Sequence, residues 1–154
     1  MIRNYFEDYY LGDLFVSPGR TITETDIVLF SALTGDWHPL HTNVEIASQS
    51  HFKERVAHGM LGIVVGSALV FRLGPYVTLP KSFIALHGID SIRFKMPIKI
   101  GDTIHCENKV VELKEKSETQ GIITQEQKII NQRDETVILF KSIILAGRKP
   151  RDQV

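Results

Sequence analysis

The stretch "GMLGIVVGSALVF", residues 59 to 71, is the longest apolar run in the chain. Its 13 residues are too few to cross a bilayer, which takes about 20. Apolar nearly all round, the run reads instead as a helix buried in the core. It is predicted to begin near Ala57 or His58 and to stop at about Leu73. There Gly74 offers a left-handed cap and Pro75 forbids continuation. Gly59, Gly62 and Gly66 each cost the helix about 1 kcal/mol of propensity relative to Ala. Such a cost is tolerated where backbone must come close to a sheet or a ligand.

Downstream of this helix the pattern changes to strands. Residues 82 to 94 are strand-like, and "MPIKIGD" after them turns the chain at Pro97 and Gly101. Residues 103 to 114 carry Ile104, Cys106 and Val110 in period two, and 119 to 130 repeat the pattern. "NQRD" at 131 to 134 is a hairpin turn, and "TVILFKSIILA" closes the sheet. Upstream, residues 5 to 20 read as irregular. Thr23 with Asp26 forms an acidic capping box opening a helix to about Leu33, ended by Gly35 and Pro39. Asn43 caps a further short helix to about Gln49. A sheet with one apolar face and one apolar helix should bury each against the other. The expected fold class is α+β, a long central helix wrapped by an antiparallel sheet, in one domain over residues 1–154.

Composition narrows the function. The 18 basic and 18 acidic residues balance, with no run of one sign, so neither nucleic acid nor an anionic membrane is expected as partner. The single cysteine, Cys106, excludes an internal disulfide and any cysteine-rich zinc site, and reads as a small buried hydrophobe. The N-terminus lacks the apolar core of a secretory signal. A soluble protein of the reducing cytoplasm is expected.

"TGDWHPLH", residues 34 to 41, follows the first helix and sets Asp36, His38 and His41 around Pro39. On a continuous helix Asp36 and His41 would lie about 140° apart and could not share a substrate. Pro39 breaks that helix and pushes His38 toward an extended conformation, so a turn can bring the two together. Carboxylate and imidazole suit general acid–base chemistry, because their proton affinities can be set on either side of neutrality. "VAHGML", 56 to 61, adds free backbone N–H groups at a helix start and a glycine that admits a ligand atom. That makes an oxyanion site for a carbonyl gaining negative charge. Read blandly, Asp36 and His41 are polar loop residues, Gly59 serves packing, and Ser67 bonds its own helix. His58 reads as a group fixing the loop before the helix. Two histidines without a clear third ligand point away from metal. His51, His87 and His105 have no identifiable partner.

Taken together, "FSALTGDWHPLHTNVEIA" (30 to 47), "HFKERVAHGMLG" (51 to 62) and "IDSIRFKMPIKIGDTI" (89 to 104) resemble the MaoC-like (R)-specific enoyl-CoA hydratase/dehydratase family. That family carries Gly-Asp-x-Asn-Pro-x-His, a downstream Phe, and Ala/Val-His-Gly-Met; the match spans about residues 10 to 147. The resemblance implies a hot-dog fold assembled as a homodimer or larger homo-oligomer. It implies a lyase acting on acyl-CoA or acyl carrier protein thioesters, in fatty acid metabolism, without a cofactor. Asp36 would take the proton of a water that attacks the β-carbon, His41 would protonate the α-carbon, and Gly59 would stabilise the thioester oxygen. His38 and His58 would support the substrate site, and Ser67 would line the acyl pocket. His38 departs from the family's asparagine. A hot-dog thioesterase or a non-catalytic acyl-thioester binder are the alternatives; the Gly-Asp-x-x-Pro-x-His loop argues against the first and the intact pair against the second.

Overall fold

In the computed structural model, which describes residues 2–150, the chain runs through short strands β1 (Leu14–Val16) and β2 (Arg20–Thr21) into three helices. These are α1 (Glu24–Thr34), α2 (Pro39–Thr42) and α3 (Val44–Gln49). Then comes α4 (Gly59–Ala68), extended by a 3-10 turn, Leu69–Leu73. Four long strands complete the chain: β3 (Phe83–Phe94), β4 (Thr103–Glu115), β5 (Gln120–Ile130) and β6 (Thr136–Gly147). The sheet is antiparallel in the order β1-β4-β5-β6-β3, with β2 also paired to β4. It curls around α4, which is the hot-dog arrangement.

Local chemistry sets each boundary that positions the later site. The Thr23 hydroxyl accepts from the Asp26 amide, and Asp26 Oδ2 accepts the Thr23 amide at 2.8 Å, which starts α1. Gly35, at φ 78°, closes α1 with its N–H on the Ser31 carbonyl. The start of α4 is tied to the sheet side by Ala57 N–H donating to Ile98 O at 2.8 Å and by the bridge between Val56 and Lys99.

The inner face of α4 is where the core closes. A Cβ on Gly62 would lie 2.6 Å from Ile138 Cδ1 and 2.7 Å from Ile98 Cδ1, and one on Gly66 would lie 2.6 Å from Ile129 Cδ1. Real Cβ atoms essentially never come so close, so the two glycines let the helix backbone rest on Ile129 and Ile138 of the sheet and on Ile98 in the turn before β4. Leu61, Ile104, Cys106, Ile129, Ile138 and Phe140 fill the surrounding core. Burial pushes the Cys106 thiol up to about 12, which leaves it un-ionised and inert.

Three expectations need correction. Residues 5 to 20 are less irregular than their composition suggests, since they contain β1, β2 and a 3-10 turn, Phe6–Asp8. The chain between Asp36 and Asn43 holds a one-turn helix, α2, because Pro39 is pre-set for a first helical position. And α4 is not buried all round: Met60 and Val64 are 54% and 56% exposed, and Phe71 after it is exposed too. One curled sheet covers only one side of a helix. The opposite stripe faces outward, as do Phe83, Ile84, Leu86 and Phe94 on β3, the strand at the open edge of the sheet.

Gly66→Ala would gain helix propensity but press a methyl into Ile129. Overpacking of this kind costs about 1–3 kcal/mol and outweighs the gain of about 1 kcal/mol. Urea unfolding of the variant is expected to show a lowered midpoint; a raised midpoint would show that α4 does not depend on this contact.

Candidate active site

Asp36 follows directly on the glycine that ends α1, so the end of that helix aims the loop. Its Oδ1 accepts the His38 amide at 3.1 Å, a local turn bond that fixes the carboxylate and leaves Oδ2 free. His38 then caps α2: its Nδ1 accepts the Leu40 amide at 3.2 Å. Asparagine is the usual residue for that bond, and the imidazole nitrogen supplies an equivalent acceptor. His38 is otherwise exposed, its ring centre 6.1 Å from that of His41.

His41 sits in α2 on the side facing α4. Its Nδ1 lies 2.7 Å from the Val56 carbonyl oxygen, which can only accept, so Nδ1 carries the proton. The neutral ring therefore presents a bare lone pair at Nε2. Burial lowers the His41 pKa from the usual 6.5, with His58 and His38 adding to the effect; the Val56 bond and the Asp36 charge oppose it. Near neutral pH the ring is a base rather than a cation.

His58, the residue before α4, is 3% exposed. Its Nε2 meets the Asp36 carbonyl oxygen at 3.1 Å, so Nε2 is the protonated nitrogen, and it also lies 3.4 Å from Ser31 Oγ and 3.9 Å from Asp36 Oδ2. Its ring is held between Phe30, at 5.0 Å, and His41, stacked at 3.8 Å. His58 thus clamps the Asp36 loop from inside while its face supports the His41 ring.

Asp36, His41 and His58 each offer one ligand-type atom, all within 4.8 Å of one another. One water hydrogen-bonded at about 2.8 Å to two of them spans that gap. A cation suits the group less well. Planes of His41 and His58 are 30° apart, so their in-plane lone pairs run side by side rather than converging, and His58 Nε2 is already bonded to backbone.

Gly59 opens α4. The first bond of that helix is Gly62 N–H to His58 O, so the N–H groups of Gly59, Met60 and Leu61 have no partner within the helix. A Cβ on Gly59 would fall 2.6 Å from Phe94 Cε1, so the ring of Phe94 packs on this backbone and walls the site. Two clefts meet here. One, of about 440 Å³, is lined by His41, His58, Gly59, Met60, Phe94 and Met96 among others. The second, of about 520 Å³, holds Asp36, His41, His58, Gly59, Met60 and Val64.

The fold thus brings Asp36, His41, His58 and Gly59 together, whereas His38, expected at the substrate site, caps α2 next to them and lines neither cleft. Ser67 lies apart, two turns further along α4, where its hydroxyl reaches back to the Val64 carbonyl at 3.5 Å and lines a different cavity. Three contributors escaped the sequence reading. The Val56 carbonyl is backbone and leaves no signature, whereas Phe30 and Phe94 lie within quoted motif stretches but owe their roles to long-range packing.

An antiparallel sheet around one helix, with a carboxylate–imidazole pair at that helix's start, defines a hot-dog protein of the hydratase and dehydratase class. Residues 12–131 match the MaoC-like domain. The chain is 40% identical to an (R)-specific enoyl-CoA hydratase of Rhodospirillum rubrum over 104 residues, 68% of this chain and 67% of that protein. It is 39% identical to the MaoC protein of Klebsiella aerogenes over 113 residues, 71% of this chain but only 32% of that protein. A crystal structure of a monoamine oxidase regulatory protein from Archaeoglobus superposes with a TM-score of 0.91 at 37% identity, covering 97% of this chain and 98% of that one. The chain belongs to the MaoC-like dehydratase/hydratase family. It spans about a third of the Klebsiella relative's length. No helix among the described residues is long and apolar enough to cross a membrane.

His41 carries a direct pH prediction. Folding lowers its pKa, so the unfolded chain binds the proton more tightly, and the contribution of His41 to stability is complete above 6.5 and declines as the pH falls below it. Titration followed by NMR is expected to place the His41 ring transition below 6.5. A transition at or above that value would mean the ring is not held neutral by burial.

Proposed function

We propose that the chain is a hydro-lyase that adds water to a 2-enoyl thioester, or removes it from the (R)-3-hydroxyacyl thioester. The observation that carries this reading is the convergence of Asp36 with an Nε2-unprotonated His41 beside the first N–H groups of α4.

In the hydration direction a water held between Asp36 and His41 gives a proton to the Nε2 lone pair as its oxygen bonds the β-carbon. Electrons of the double bond move onto the thioester oxygen, where the Gly59 N–H donates to the developing charge. The proton then passes from Nε2 to the α-carbon and the carbonyl re-forms. Asp36 accepts the second O–H of the water and stabilises the transient imidazolium. Dehydration runs the same steps backward. The resemblance alone gives the first proton to Asp36; the neutral ring with Nδ1 committed to Val56 favours His41 instead. Every proton is shuttled by the chain's own groups, and no step calls for a cofactor. The thioester carrier is the pantetheine arm of CoA or of acyl carrier protein; relatives whose names specify each occur, a 3-hydroxybutyryl-CoA dehydratase of Methylorubrum extorquens and an acyl-carrier-protein dehydratase of Arabidopsis thaliana.

Crotonyl-CoA tests the reading, through loss of the enoyl-thioester absorbance. The protein is expected to consume it and yield the (R)-3-hydroxy product, with Asp36→Asn and His41→Ala each slowed by about 10²–10⁴. A release of free thiol would make the protein a thioesterase, and turnover that survives both substitutions would remove the pair from the chemistry.

The assembly proposed is a homodimer joined through β3. Among the described residues that strand pairs with β6 alone, and its exposed Phe83, Ile84, Leu86 and Phe94 leave an apolar, hydrogen-bond-competent edge. Sedimentation is expected to give a dimer that Leu86→Lys weakens; a monomer at micromolar concentration would sink it.

A further inference from the structure

The sulfur that solvent can reach in this chain is gathered at the acid–base site. Of its three methionines and one cysteine, Met1 lies outside the described residues. Met60 and Met96 both line the cleft of about 440 Å³, and Met60 lines the cleft of about 520 Å³ as well. They are 54% and 44% exposed, whereas Cys106 is fully buried in the core. Oxidants attack sulfur where it is accessible, so among the described residues the clefts hold the sulfur that reacts first. Methionine commonly fills irregular gaps in a core, but residues about half exposed fill none. A cleft wide enough for a thioester also admits hydrogen peroxide.

The oxidation balances with peroxide alone. A thioether lone pair attacks one oxygen of hydrogen peroxide, and the O–O bond breaks as the S–O bond forms. The proton of the sulfur-bound hydroxyl then goes to the departing hydroxide, giving water. Sulfur is oxidised by two electrons and peroxide is reduced by two. Methionine sulfoxide reductases reverse the change, their thiols closing to a disulfide while the oxygen leaves as water.

The product differs from the reactant in the property the cleft depends on. A thioether matches its apolar neighbours Leu40, Phe52, Phe94 and Ile98, whereas a sulfoxide is a strongly polar acceptor. An apolar segment of ligand laid against it would strip off its water and offer no donor in return. Met60 adds a second effect. It lies in the first turn of α4, where the N–H groups of Gly59, Met60 and Leu61 have no partner within the helix. Helical side chains lean toward the N-terminus, so a sulfoxide oxygen on Met60 is an acceptor aimed at those donors. It competes for them with the thioester oxygen.

We propose that Met60 and Met96 form a reversible oxidation site through which hydrogen peroxide closes the cleft beside Asp36 and His41. The proposal rests on the lyase reading for what the cleft binds, whereas the modification and its effect on α4 are measured without it.

The native protein is treated with hydrogen peroxide and followed by peptide mass mapping, amide NMR and turnover of crotonyl-CoA. Met60 and Met96 are expected to gain one oxygen each at the pace of free N-acetylmethionine, with Cys106 unmodified and the far-UV circular dichroism unchanged. The Gly59 and Leu61 amide resonances should move as Met60 is oxidised. The kcat/KM should fall by at least about tenfold, the effect of one unpaired polar contact, and recover with both methionine sulfoxide reductases. Met60→Gln, which carries an amide oxygen near the place of the sulfoxide oxygen, should lower the rate without any peroxide. Met60→Leu/Met96→Leu, compared with its own rate before treatment, should lose nothing, and the single variants carry the test if the pair fails to fold. Sulfoxide forming far more slowly than on free N-acetylmethionine, equal loss of activity in the leucine variant, or loss of dichroism along with activity would each overturn the proposal. A chain that turns over no thioester even before peroxide would refute the lyase reading alone. The mapping and the amide resonances still judge the site in that case, and a Gly59 resonance that stays fixed while Met60 is oxidised would overturn it.

Discussion

The contact on which everything else rests is backbone against side chain, where α4 lies on Ile98, Ile129 and Ile138 at Gly62 and Gly66. With even a methyl there the helix would stand further off and the sheet could not curl so tightly around it. That approach sets the height of α4 over the strands. The Ala57–Ile98 bond and the Val56–Lys99 bridge then set where the helix begins. The mouth of the helix, with its unpaired N–H groups, is thus located by the core rather than by the loops around it.

Backbone also decides the chemistry of the side chains. Val56 O chooses the tautomer of His41, the Asp36 carbonyl chooses that of His58, and the Thr78 carbonyl orients Gln125 and hence Asn108. In each case an oxygen that can only accept leaves the side chain one way to face. The Asp36–His41 pair is built on short elements, a loop and a one-turn helix, yet it is held from behind by the buried His58 ring, which stacks on His41 and is met at a tilt by Phe30. Such support from behind keeps a half-exposed site in register without covering the carboxylate.

Much of this was legible from residue pattern. The capping box of α1, the apolar run of α4 and the four long strands lie where spacing put them, because each element satisfies a local rule over many residues. β1, β2 and α2 were missed because two to four residues cannot show a period. The outward stripe of α4 was missed for another reason: an all-apolar helix looks the same whether one sheet or two surfaces cover it. Asn108 is instructive, since it falls in phase with Ile104, Cys106 and Val110 and so faces inward, but its polarity hid it from a search for core residues. At the site, Asp36, His41 and Gly59 could be found by chemistry and motif. The tautomers could not, because the groups that fix them are main-chain atoms distant in sequence.

Three glycines in the ten residues of α4 have one more consequence. Isolated helices shorter than about 12–15 residues are marginal in water even when rich in alanine. This one has no standing of its own. It exists as a helix only where the finished sheet holds it, and that sheet is completed by pairings far apart in sequence, β3 with β6 and β1 with β4, the slow part of folding. The unpaired N–H groups at its start therefore come into being at the end of folding and disappear with the first loss of sheet contact. A partly folded chain would keep Asp36 and His41 in its sequence and have no helix start to set beside them, so that under the proposed reading turnover would report the integrity of the whole core.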